Sequence, residues 1–259
     1  MIFTHVKIGF NNMIKSKWIK EIINYINMFN PFNHYRAQQY ESNSAKIFIE
    51  EHFEGLYSRI NAFKMNNIKD PGINELDVNG FYEGNENIWH KFATFIEGKT
   101  VLEIGPGPFG AIVGWWWVKN RIVIDPLIED YKNTSLSIFH KTVYTDDIIQ
   151  YSQPAEEKIP ELINKIDGAI ICRNALDHCE NPMAILKNIA DYSKSGCYLL
   201  LWTDLWHLHT LDEGHKNITK DKTGFEKQIR DYGFEILYSF DKVRKDASTI
   251  EYGCRARKQ

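Results

Sequence analysis

The stretch Thr100-Val101-Leu102-Glu103-Ile104-Gly105-Pro106-Gly107-Pro108-Phe109-Gly110 limits the folds open to this 259-residue chain more than any other. β-Compatible residues, interrupted by one carboxylate, run into a Gly-rich turn, and Ala111, Ile112 and Val113 read as the opening of a helix. The pattern is a strand, a tight turn and a helix N-terminus. Glycine is required where the backbone passes close to a ligand or takes a φ that a Cβ forbids. A second strand pattern, Arg121-Ile122-Val123-Ile124, ends at Asp125, 22 residues after Glu103 and immediately before Pro126. An acid at that distance is where nucleotide-binding α/β folds hold a ribose.

Further strand patterns cover Ile148 to Ser152, Ile166 to Cys172, Cys197 to Trp202, Phe234 to Phe240 and Thr249 to Cys254. Between them lie helical patterns at Pro126 to Phe139, Met183 to Tyr192 and Lys222 to Tyr232, the last stopped by Gly233. The alternation predicts an α/β fold with a doubly wound, mostly parallel seven-stranded sheet, Rossmann-like in its nucleotide turn. Ligands then lie outside the carboxyl ends of the strands, so Arg173 through His178 face the reaction centre. The exit from the fifth strand is the densest in chemistry: Thr203, Asp204, Trp206, His207, His209, Asp212, Glu213 and His215. Imidazoles and carboxylates suit zinc or manganese, yet the spacing fits neither a helical His-x-x-x-His nor a finger, and no metal is assigned. The bland alternative is a solvated polar loop. Trp115, Trp116 and Trp117 fall in the expected first helix, where successive residues turn by about 100° and three indoles cannot share a face.

Glu103, Gly105 and Gly107, followed by Asp125, resemble the first two motifs of the class I S-adenosylmethionine-dependent methyltransferases, over roughly Trp89 to Phe240. Phe109 holds that family's third glycine position, and Gly105, Gly107 and Gly110 also satisfy the G-x-G-x-x-G of dinucleotide enzymes; Glu103 and the later motifs favour the methyltransferase. The resemblance implies S-adenosylmethionine as cofactor, with Gly105, Pro106 and Gly107 close to its methionine portion and ribose. It also implies Glu103 near the sulfonium and amino group, and Asp125 on both ribose hydroxyls. Ala155 and Glu156 match the adenine-edge segment, with Pro154 where an acid is common and Asp146 or Asp147 as the substitute. Arg173 and Asn174 complete the cofactor set. Leu176-Asp177-His178 and Asp212 with His215 match elements of the acceptor side. His178 and His215 are the candidate bases, with Asp177 or Asp204 orienting them; Tyr82, Trp89, His207 and His209 are candidate acceptor contacts. The family mostly works without metal, in keeping with the absence of an assigned one.

The implied function is methyl transfer, with O-methylation of a small polar acceptor preferred: a sugar, a nucleotide-linked sugar or a phosphorylated surface-glycan precursor (capsule or lipopolysaccharide). A polar exit loop suits a hydroxylated acceptor. An N-methyltransferase of an amine or RNA base would carry an Asn-Pro-Pro-aromatic motif where this chain reads Arg173-Asn174-Ala175-Leu176. An NAD- or nucleotide-sugar-binding protein and a catalytically silent cofactor-binding partner are the remaining alternatives.

Residues 1–80 are expected to form an N-terminal helical cap for substrate or dimer contacts, and residues 81–259 the catalytic domain. Ile14, Trp18, Ile22, Tyr25, Ile26 and Phe29 recur at helical spacing, as do Ala45, Phe48, Ile49, Phe53, Leu56, Tyr57 and Ile60. Such faces pack on their own domain or on a second copy, compatible with a homodimer. Asn66 to Gly80 is a loop rich in Asn, Asp, Pro and Gly, and Asn85 to Ile96 reads as a helix leading into the first strand. The 31 basic and 34 acidic residues give a net charge of −3 and no global attraction to nucleic acid. Four cysteines without a C-x-x-C pair read as reduced thiols, and no signal or spanning segment is evident, so the expected location is cytoplasmic.

Overall fold

The strand patterns assemble into one sheet in a computed structural model that describes residues 65, 82–83, 86–107, 110–133, 147–207, 215–243 and 249–259. Its strands are β1 (Thr100–Ile104), β2 (Asn120–Ile124), β3 (Ile148–Tyr151), β4 (Ala169–Arg173), β5 (Tyr198–His207), β6 (Phe234–Val243) and β7 (Thr249–Lys258). They lie in the order β3-β2-β1-β4-β5-β7-β6. The first five run parallel, and β7 inserts antiparallel between β5 and β6.

The central strands are nearly continuous apolar runs because helices and loops cover both faces. On one face Leu102, Ile104, Ile170, Cys172, Leu199 and Leu201 pack with Ile189 and Phe225. On the other, Val101, Val123, Ala169 and Ile171 pack with Phe92, Ile96, Ile112 and Trp115. The helices are α1 (Trp89–Ile96), α2 (Ile128–Asn133), α3 (Pro182–Tyr192) and α4 (Lys222–Asp231). Asn181 caps α3 by accepting from the Ala184 N–H, with Pro182 opening the first turn, and Asp221 caps α4 by accepting from the Gly224 N–H. Gly233, at φ +84°, ends α4 in the left-handed region.

Four expectations are corrected. The helix expected after the Gly-rich turn is a single 3-10 turn, Ala111–Gly114. Beyond it the chain drops Trp115 and Trp117 into the core beside Phe92 and Trp89, and burial of two indoles replaces further helical turns. The helix expected from Asn85 begins at Trp89, because Tyr82–Glu83 and Glu86–Asn87 pair as a short antiparallel ladder. β5 continues to His207, so Thr203, Asp204, Trp206 and His207 belong to a strand rather than to its exit loop. β7 likewise runs past Cys254, the expected end of its strand pattern. Arg255 to Lys258 complete β7, whose backbone pairs on both sides, and Arg255 is buried.

All four cysteines are buried free thiols. Burial pushes the Cys197 and Cys254 thiols up to about 12, which leaves them as packing groups at neutral pH. The expected cap helices and the Asn66–Gly80 loop lie outside the described residues. No helix among the described residues is long and apolar enough to cross a membrane.

Candidate functional site

The Gly-rich turn between β1 and the 3-10 turn is held from below by Glu103. Its side chain is 1% exposed, with Oε1 accepting from the Ala111 N–H and Oε2 from the Ile112 N–H, both at 3.0 Å. A carboxylate at that place satisfies backbone donors that the short helical turn leaves open. Glu103 therefore supports the turn from inside the fold.

Gly105 takes φ +61° and donates its N–H to the Ile124 carbonyl at 2.9 Å. A Cβ on it would lie 2.6 Å from the Ala175 Cβ, so the turn presses directly on the loop leaving β4. Gly105→Ala is expected to cost about 1–3 kcal/mol through left-handed strain and overpacking. Thermal unfolding should show a midpoint lowered by several degrees, and an unchanged midpoint would contradict the contact.

Gly107, at φ +56°, donates its N–H to Asp125 Oδ2 at 3.0 Å, while Asp125 Oδ1 accepts from the Leu127 N–H at 2.8 Å. Asp125 is 5% exposed at the carboxyl end of β2. A carboxylate oxygen can accept more than one hydrogen bond, so Asp125 is chemically suited to ribose hydroxyls.

The segment after β3 is occupied with structural contacts. The Ala155 and Glu156 carbonyls each accept from Asn188 Nδ2 at 2.9 Å, and Glu156 Oε1 accepts from the Glu180 N–H at 2.8 Å. Asp147 precedes β3 and pairs with Arg121, which puts it at the amino end of the sheet, away from the nucleotide turn. Arg173 ends β4 half-buried, and the exposed Asn174 that follows takes φ +50°. A left-handed non-glycine residue is uncommon, and asparagine tolerates it best.

Beyond Ala175 the chain forms a 3-10 turn, Leu176–His178, that carries Asp177 into full burial. Asp177 Oδ1 accepts from the Thr203 hydroxyl at 2.9 Å, and Oδ2 stands 2.8 Å from His215 Nδ1 and 3.6 Å from His178 Nε2. Burial alone would raise this carboxyl. The His215 hydrogen bond, the neighbouring His178 and His215 rings and the Thr203 hydroxyl outweigh it and hold the group below its ordinary value. An ionised Asp177 accepts only, so His215 carries its proton on Nδ1 and leaves Nε2 as a proton acceptor. The ring centroids of His178 and His215 lie 4.1 Å apart, and those of His207 and His215 5.1 Å.

Asp204 and His207 join the same cluster, with Asp204 Oδ2 at 3.5 Å from His207 Nε2. Residues three apart on a regular strand point to opposite faces. A register shift between Asp204 and Trp206 in the β5–β7 ladder supplies the extra residue that brings both to one place. The returning chain is tied down at the same point. The Lys216 N–H donates to the Asp177 carbonyl at 2.6 Å, the Ile218 and Thr219 N–H groups donate to the Leu205 carbonyl at 3.0 Å, and the His207 N–H donates to Asn217 Oδ1 at 2.6 Å. Sequence reasoning missed Asn217 and Thr249, whose Oγ1 lies 3.3 Å from His207 Nδ1. Only the polarity of Thr249 at the start of a strand signalled it.

Asp177, His178, Asp204, His207 and His215 thus come together. Trp89 instead lies 5.5 Å from Phe92 and 5.8 Å from Trp115, centroid to centroid, in an aromatic cluster. The Tyr82 backbone pairs with Asn87. His209, Asp212 and Glu213 lie outside the described residues.

The sheet order with its antiparallel β7, the acid-capped turn and Asp125 define the Rossmann-like fold of class I methyltransferases. Solved structures agree. A protein from Galdieria sulphuraria, classed as a sarcosine dimethylglycine methyltransferase, superposes with a TM-score of 0.52 at 12% identity, over 66% of this chain and 81% of that one. A protein from Bacillus halodurans C-125 classed as a methyltransferase gives 0.50 at 16% identity, over 65% and 96%. The [4+2]-cyclase SpnF gives 0.50 at 12% identity, over 69% and 83%. No protein-family model and no curated protein matches the sequence. One fold thus carries methyltransferase and cyclase names, and function has to be argued from the site.

Proposed function

We propose that the protein is an S-adenosylmethionine-dependent methyltransferase acting on a hydroxyl of a small polar acceptor, with a sugar, nucleotide-linked sugar or phosphorylated glycan precursor as the class. The observation that carries this reading is the contact of Gly105 with Ala175, which sets a nucleotide turn against a loop ending in the Asp177–His215 pair. Gly105, Pro106 and Gly107 would border the methionine portion and ribose, and Asp125 would accept from the ribose hydroxyls. Arg173 and Asn174 stand at the carboxyl end of β4 between turn and cluster.

S-adenosylmethionine, when bound, would supply an electrophilic methyl carbon for in-line attack and a neutral thioether as leaving group. Nε2 of His215 would take the acceptor proton. Asp177 fixes the tautomer and offsets the positive charge that forms on the ring. Imidazole, with an ordinary pKa near about 6.5, suits that task at neutral pH.

The second reading is an amine acceptor, the chemistry named for the Galdieria sulphuraria neighbour. The experiment that separates the two uses methyl-labelled S-adenosylmethionine with panels of sugars, nucleotide-linked and phosphorylated sugars, and small amines. Label in an ether is expected. Label only in amines would replace the O-methyl reading, and tight cofactor binding with no transfer to any panel would point to a silent binding partner.

A further inference from the structure

We propose that Asp177, Asp204, His207 and His215 form a binding site for one divalent first-row transition ion of the Zn2+ and Mn2+ class. One ligand atom from each of the four lies within 4.8 Å of every other. Metal–nitrogen and metal–oxygen bonds of about 2.0–2.2 Å place tetrahedral donors about 3.4 Å apart, so the four groups need draw in by about 1.4 Å at most around an ion.

The donor types, two imidazoles and two carboxylates, fit such an ion better than Mg2+ or Ca2+, which favour all-oxygen cages. Charge agrees as well. Asp177 and Asp204 are 0% and 5% exposed, and a dication bound between them would offset two buried carboxylate charges.

The supporting contacts have the form metal sites use. Thr249 Oγ1 faces His207 Nδ1 and directs Nε2 toward Asp204, while the Thr203 hydroxyl holds the second oxygen of Asp177. The β-bulge that aims Asp204 and His207 together, and the backbone bonds that return His215 to the same point, place three separate segments on one centre. In sequence the set is hidden, because its spacings of 27, 3 and 8 residues match no metal motif.

The site goes beyond methyl transfer and does not depend on it. With an ion bound, His215 would serve as a ligand and His178, outside the ligand set, would take over as proton acceptor, whereas the ion-free chain uses His215.

The test is to strip the full chain with a chelator, dialyse it separately against Zn2+, Mn2+ and Co2+, and count bound metal by elemental analysis. One ion per chain is expected, with visible ligand-field absorption for Co2+. His207→Ala and Asp204→Asn should each weaken binding at least tenfold, and far-UV circular dichroism checks that both are folded. Thr249→Val, which removes only a supporting contact, should weaken binding about tenfold and serves where a ligand variant does not fold. No bound ion, or equal loading of wild type and the folded variants, would overturn the site. S-adenosylhomocysteine titration of the same samples reports separately on the methyltransferase reading.

Discussion

Asp177→Asn is expected to lower methyl transfer by about 100- to 10,000-fold while leaving affinity for S-adenosylhomocysteine within about threefold of wild type. Asp177, whose side chain is fully buried, receives two donors, the Thr203 hydroxyl and the His215 Nδ1–H. An amide has one acceptor oxygen and presents an NH2 to whichever donor the oxygen does not meet. If that NH2 faces His215, the imidazole must move its proton to Nε2 and can no longer accept from substrate. The readout is initial rate with the acceptor found in the panels, beside calorimetry for the cofactor product. A rate within threefold of wild type would remove Asp177 from the reaction.

Asp125→Ala is expected to have a comparable effect on a different quantity. Hydrogen bonds to a charged group contribute about 1.5–3 kcal/mol each, so losing the acceptor of two ribose hydroxyls costs about 3–6 kcal/mol. That corresponds to about a 100- to 20,000-fold loss of affinity for S-adenosylmethionine and S-adenosylhomocysteine. The same side chain braces Gly107 and Leu127, so the unfolding midpoint should fall as well. Asp125→Asn, which keeps one acceptor, should lie between the two. Calorimetric affinity within threefold of wild type in Asp125→Ala would show that the nucleotide, if bound, lies elsewhere.

Local signals account for the parts of the fold that the sequence made legible. β1, its Gly-rich turn and Asp125 are read within 26 residues, because strand, turn and acid each carry a distinct residue type. Gly233 marked a helix end for the same reason. Non-local partners decided the rest. β5 reaches His207 only because β7, more than 40 residues later, pairs with it there, and Arg255 is buried because β7 lies between two strands. The apolar run Ala111–Val113 reads as a helix start, yet the chain turns after Gly114 to bury Trp115, a packing demand invisible to periodicity. Glu103 shows the limit on function. A carboxylate beside glycines suits a cationic ligand or backbone donors equally, and only the fold shows it turned toward Ala111 and Ile112.

The histidine-rich stretch was recognisable as chemistry, but its membership was not. His207 and His215 meet Asp177 and Asp204 because a bulge shifts the β5 register and because the chain returns to bond with the Asp177 and Leu205 carbonyls. Neither event leaves a motif.

The central claim is a cofactor claim, and calorimetric titration of the wild-type chain with S-adenosylhomocysteine, with NAD as the comparison, tests it most directly. Micromolar binding of S-adenosylhomocysteine at one site per chain, with no measurable NAD binding, is the predicted result. Binding of NAD without S-adenosylhomocysteine would contradict the account, assigning Gly105, Gly107 and Gly110 to a dinucleotide and leaving only the fold in place.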